Sequence, residues 1–103
     1  MAKVINITDK LSSEKPKIVL GEKTYEVNDS METVLKFQEL AQNSTTDNME
    51  AAIKLSLGDK AAKELNIKKM SIQNFRVLTI AILAAMQNIE YEEAEARFQK
   101  AQQ

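Results

Sequence analysis

Residues 71–89 read SIQNFRVLTIAILAAMQNI, and the way this stretch folds decides the architecture of the chain. Ile72, Phe75, Leu78, Ile82 and Met86 recur at three- and four-residue steps, the spacing of one helix face. Val77, Ile80, Ala81, Leu83, Ala84 and Ala85 make most of the remaining circumference apolar too. A helix this apolar on nearly every side is either central to its domain or covered by another subunit. Both readings stay open on the sequence alone. The most apolar run, VLTIAILAAM at 77–86, is about half the length that crosses a bilayer, so no membrane span is expected.

Downstream, EYEEAEARFQKAQQ (90–103) sets Tyr91, Ala94, Phe98 and Ala101 on one face. Glu93 and Arg97 stand four apart, where opposite charges meet on a helix. This last helix is expected to pack along 71–89 through Tyr91 and Phe98, or to offer those rings to a partner. Upstream, DKAAKELN (59–66) predicts a short helix with Ala62 and Leu65 inward. Ile67 and Met70 bracket Lys68 and Lys69, which read as solvated.

Two earlier helices begin with the same grammar. In TDNME (46–50), Asp47 and Glu50 form a D-x-x-E spacing, followed by Met49, Ala52, Ile53 and Leu57 on one face and Leu55 beside them. Gly58 closes that helix as a residue able to take positive φ. In NDSMETV (28–34), Asp29 and Glu32 repeat the spacing, which resembles a capping box. A helix is predicted from about Ser30 to Gln42, capped by Asp29 or Ser30 and carrying Met31, Val34, Leu35, Phe37, Leu40 and Ala41; NSTT at 43–46 then breaks it. Before it, KIVLGEKTYEV (17–27) signals a hairpin. Ile18, Val19 and Leu20 run into a tight connection at Gly21, Glu22 and Lys23, and Tyr25 and Val27 then alternate with polar residues. Two strands alone are barely stable in water, so the hairpin must pack on helices.

The expected fold is therefore α+β and mainly α, a short N-terminal β-hairpin on a bundle of about four to five helices. Residues 1–16, MAKVINITDKLSSEKP, are expected to form a flexible arm before a single domain at 17–103. The rival for the arm is a strand formed only against a partner, since VINI is β-branched and partly alternating.

Composition excludes several chemistries. The chain has 103 residues, 14 basic and 15 acidic side chains, and a formal net charge of -1, which argues against a nucleic-acid binder needing a basic face. With no Cys and no His, thiolate chemistry, the common zinc sites and His-based acid–base catalysis are not available. DSMETV resembles the phosphopantetheine attachment site of acyl carrier proteins, with Ser30 as the attachment residue. Here a hairpin precedes it and the following helix mixes Lys36 with Glu39, so capping is the simpler reading. Glu92 and Glu93 are adjacent and do not face a common point. The spacing around Gly21 is not that of a phosphate loop. The expectation is a non-enzymatic protein with no cofactor and no metal, binding neither nucleic acid nor membrane.

The order of elements and the wording of LGDKAAKELNIKKMSIQNFRVLTIAILAAMQNIEYEEAEARF (57–98) resemble the tail assembly chaperones of long-tailed phages and prophages of Gram-positive bacteria. The likeness is carried by the Leu57-Gly58 helix end, the link from Leu65 to Ser71, the helix NFRVLTIAILAAM and the Glu-rich segment ending in Arg97-Phe98, and it covers about residues 17–100. The resemblance implies a mostly helical protein in the cytoplasm of the bacterial host. It would coat the tape measure protein before the tail tube polymerises, self-associate, and be absent from the finished virion. Many members are also made as a longer, frameshifted product, and the tail tube protein is a further candidate partner. A structural tail or connector subunit, or a small dimerising host adaptor, are the alternatives. Phe75, Leu78, Ile82, Met86 and Phe98 are the expected partner contacts, with core as the competing role for the same positions.

Overall fold

The computed structural model describes residues 2–12, 14–42 and 45–101, with Ala101 described in its backbone alone. It contains a two-stranded antiparallel hairpin, β1 (Lys17–Leu20) and β2 (Lys23–Glu26), followed by five helices. These are α1 (Met31–Gln42), α2 (Thr46–Leu57), α3 (Asp59–Leu65), α4 (Ile72–Gln87) and α5 (Tyr91–Ala101). Short 3-10 turns occupy Thr8–Lys10 and Ile67–Lys69. The mainly helical fold with an N-terminal hairpin is the one expected from the sequence.

The hairpin turns on two residues. Leu20 pairs with Lys23, so Lys23 belongs to β2 and the connection shrinks to Gly21 and Glu22. Gly21 takes φ 65, the left-handed conformation that such turns need at this position. Pairing continues past the strands, where Val27 N donates to Pro16 O at 2.8 Å. Val27 is fully buried, and Asn28 N donates to Ser56 O at 2.9 Å, which fastens the hairpin to the end of α2. Further along the same strand, Glu64 of α3 meets Lys23 Nζ at 3.2 Å and accepts from Tyr25 Oη at 3.3 Å.

That contact has a pH signature. The hydrogen bond from Lys23, helped by its charge and by Tyr25, holds the Glu64 carboxyl below its ordinary pKa. A depressed carboxyl contributes stability that is present above its unfolded pKa and lost as pH falls through its folded one. We therefore expect the hairpin to loosen from α3 as the solution is acidified below the ordinary carboxylate range. Glu64→Gln should remove this part of the pH dependence. Chemical-shift titration of Tyr25 and Lys23 is the measurement, and identical titrations of the native chain and the variant would refute it.

Hydroxyl side chains start α1, α2 and α4. Thr33 N donates to Ser30 Oγ at 3.2 Å, Asn48 N to Thr45 Oγ1 at 3.1 Å, and Asn74 N to Ser71 Oγ at 3.0 Å. The D-x-x-E spacings are thus not the caps: Ser30 performs this role at α1, and Thr45, two residues before Asp47, performs it at α2. In each case the hydroxyl of the residue just before the helix reaches the amide of the third helical residue directly. Glu50 instead pairs with Lys54 one turn on, at 3.4 Å. Ser30→Ala is expected to cost about 1 kcal/mol and Asp29→Ala much less, measured by urea unfolding; the reverse order would restore Asp29 as the cap. Gly58 ends α2 at φ 96, as its position suggested. Asn66 and Asn88, both in the left-handed region, end α3 and α4.

The main core gathers Val27, Phe37 of α1, Ala52 and Ile53 of α2, Ala62 of α3, Ile67, and Leu78, Ile82 and Met86 of α4. A second, smaller cluster joins Ile80 and Ala84 of α4 to Ala94 of α5, with Ile89, Tyr91 and Phe98 around it. So α4 is sandwiched: one face lies on the main core and another under α5. Its nearly all-round apolarity has its main cause inside the chain. Of the two readings, a central helix or one covered by another subunit, packing within the chain accounts for Leu78, Ile80, Ile82, Ala84 and Met86. What stays open is Ile72, 88% exposed at the first turn, and Val77, 46% exposed.

Candidate functional site

The open part of α4 borders a groove. Ser71 fixes the first turn through Asn74 N, and Phe75 N donates to Ser71 O at 2.9 Å. Two turns of helix then carry Ile72, Phe75, Arg76 and Thr79 to the groove wall. Phe37 and Ala41 of α1, Met49 and Ala52 of α2 and Phe98 of α5 complete the lining. The cavity holds about 160 Å³, close to the volume that accepts one benzene-sized apolar group. Phe37, Ala52 and Thr79 are buried, whereas Phe75 and Phe98 are half-buried and Ile72 is exposed.

Two features make this groove more than a gap in packing. The Arg76 guanidinium carbon lies 5.8 Å from the Phe98 ring centroid, a cation–π distance that steadies the ring at the rim. The Thr79 hydroxyl is buried and has no hydrogen-bond partner among the described residues. Buried polar groups are paired in the great majority of cases, so each exception asks for a reason.

The five residues expected to contact a partner divide sharply. Leu78, Ile82 and Met86 are 4%, 0% and 9% exposed and belong to the main core, where Phe37 and Ile53 enclose them. In the folded chain they are not open to a partner. Phe75 of α4 and Phe98 of α5, 23 positions apart in sequence, come together at the groove. Ile72 shares the sequence stripe of Leu78 but sits one turn beyond the core's edge, which is why it is exposed. Sequence reasoning did not find Phe37, Ala41, Met49, Ala52 or Thr79 as groove residues. Their helical spacing signals an inward face and does not say where that face stops being covered.

A second, wider cleft of about 380 Å³ is lined by Glu50, Lys54, Asp59, Lys63, Asn66 and Lys68, among others. Some of its charges are already paired: Glu50 with Lys54, and Lys68 at 4.0 Å from Asp47 outside the lining. Such pairs on a solvated surface contribute little and mark no ligand. Among the described residues, no group of three or more Asp or Glu is placed to hold a metal ion, and no helix is long and apolar enough to cross a membrane. Glu93 and Arg97 form the expected ion pair at 3.0 Å, with Gln87 also accepting from Arg97 at 3.0 Å, and so tie α5 to the end of α4. Compared with protein-family models, curated proteins and solved structures, the chain matches none.

Proposed function

We propose that this protein is a non-enzymatic tail assembly chaperone that binds a phage tape measure protein and keeps it soluble until the tail tube forms. The observation that carries the reading is the apolar groove rimmed by Ile72, Phe75 and Phe98. It supports helix-in-groove recognition, in which an amphipathic helix lays its apolar side chains into such a site. Aromatic side chains at a desolvated centre usually dominate binding, so Phe75 and Phe98 are the anchors and Leu78, Ile82 and Met86 hold the platform beneath. The resemblance of residues 17–100 to tail assembly chaperones supports the identity of the partner: a tape measure protein is long and helical, with apolar surface exposed until assembly. The bacterial host cytoplasm is the compartment this reading entails.

The test is co-expression with a phage tape measure protein, which on this reading is encoded by a very long gene beside this one. The tape measure protein should be soluble with this chain, insoluble without it, and should co-purify. If it is equally soluble either way and the two do not co-purify, the reading fails. In that case, finding this chain in purified virions would make it a structural tail subunit.

A further inference from the structure

α5 is held differently from the other helices. The main core contains no residue of α5. The smaller cluster fastens it, through buried Ile80 and Ala84 of α4 and Ala94 of α5, with Ile89, Tyr91 and Phe98 half-buried around them. Among the described side chains of α5, only Ala94 is buried, and its methyl group is a small anchor beside Phe37 of α1 or Ile53 of α2. The polar contacts add little. Arg97 donates to Gln87 and Glu93 at 3.0 Å each, but these side chains lie in solvent. Arg76 meets the Phe98 ring from an exposed position at the rim.

We propose that α5 is a lid on the groove: it swings from α4 about residues 88–90 to admit an apolar helix, then recloses so that Phe98 clamps the side chain lodged there. Segments with few buried apolar contacts open at a lower cost than the whole fold. Because the main core is complete without α5, such an opening leaves α1 to α4 packed. The connection is built as a pivot. Asn88 takes φ 55, and the amides of Asn88 and Ile89 donate to Ala85 O and Ala84 O. The end of α4 is therefore closed by its own chain wherever α5 lies. α5 starts afresh at Tyr91.

The size of the closed groove calls for the motion. It holds about 160 Å³, room for one benzene-sized group. An amphipathic helix presents an apolar stripe of several side chains, and Phe98 stands in its way. With α5 open, the exposed Ile72 joins Ile80 and Ala84 on one four-residue ridge of α4. That ridge is about 18 Å long, enough to seat three turns of a partner helix. Phe98 acts as an anchor when the lid returns. This inference concerns how the site assigned above is controlled, and it rests on that reading for what enters. The opening itself is measured on this chain alone.

Native-state hydrogen exchange of the full chain reads the lid. Amides in the middle of α5 should exchange at least about a hundredfold faster than those of Ile80 to Leu83 in α4. Equal protection of the two helices would overturn the proposal. The chain contains no cysteine, so Ala84→Cys with Ala94→Cys introduces a single lock. Oxidised, it should bring α5 to within about threefold of α4; reduced, it should restore the difference. Ala94→Glu is the opposite variant. It should strip protection from α5 while leaving the amides of α2 within about threefold of their native rates; loss of protection in both would overturn the separate opening. The locked chain should also fail to keep a tape measure protein soluble, and equal performance of the oxidised and reduced forms would overturn the gating. If neither form nor the native chain binds that protein, the function proposed above fails, and the exchange rates alone decide the lid.

Discussion

Ile82→Ala is expected to lower the unfolding free energy by about 2–5 kcal/mol, while Ile72→Ala, on the same helix, should change it by no more than about 0.5 kcal/mol. Ile82 is fully buried, among Phe37, Ile53 and Met86, where neighbouring side chains from other helices prevent collapse into a new cavity. Ile72 is 88% exposed and has little to lose. A domain of this size has only about 5–15 kcal/mol of stability, so the first substitution alone removes a large part of it. Urea unfolding followed by far-ultraviolet circular dichroism measures both. Similar losses at the two sites would mean that α4 is buried along its whole stripe, and would remove the groove as an open site.

The pairing of these two isoleucines also explains what the sequence could and could not convey. Periodicity located α4 to within two residues at each end, because Ser71 caps it and the apolar face repeats without a break. It could not place the edge of the core. Ile72 and Leu78 carry the same signal, and only the position of α1 and α2 leaves one out and the other in. The apolar excess on α4 was legible, and so was part of its cause: the face of Tyr91, Ala94 and Phe98 packs on Ile80 and Ala84, one of the two roles the spacing allowed it. The D-x-x-E spacings gave the right helices for the wrong reason, since Ser30 and Thr45 do the capping and the acids merely lie in or before the first turn. Phe75 and Phe98 were legible as candidates because aromatic residues are scarce here. That Thr79 would be a buried hydroxyl without a partner was not legible, because a threonine in an apolar helix normally bonds its own backbone.

Thr79→Val should raise the stability of the isolated chain, by about 1–3 kcal/mol. The side chain is 5% exposed, and its hydroxyl has no partner among the described residues. Valine keeps the branched shape at Cβ and removes the group whose desolvation goes uncompensated. Most substitutions in a well-packed interior destabilise, so a gain here would be diagnostic. For a domain near 100 residues, each kcal/mol corresponds to a rise of about 4–8 °C in Tm, well within the reach of calorimetry. Binding through Phe75 and Phe98 should be unchanged, because the hydroxyl has no exposed surface for a partner to contact. At Ile82 stability and binding fall together, since loss of the core removes the platform for Phe75 and Phe98. A fall in Tm for Thr79→Val would mean that the hydroxyl is already satisfied, by ordered water or by its own helix.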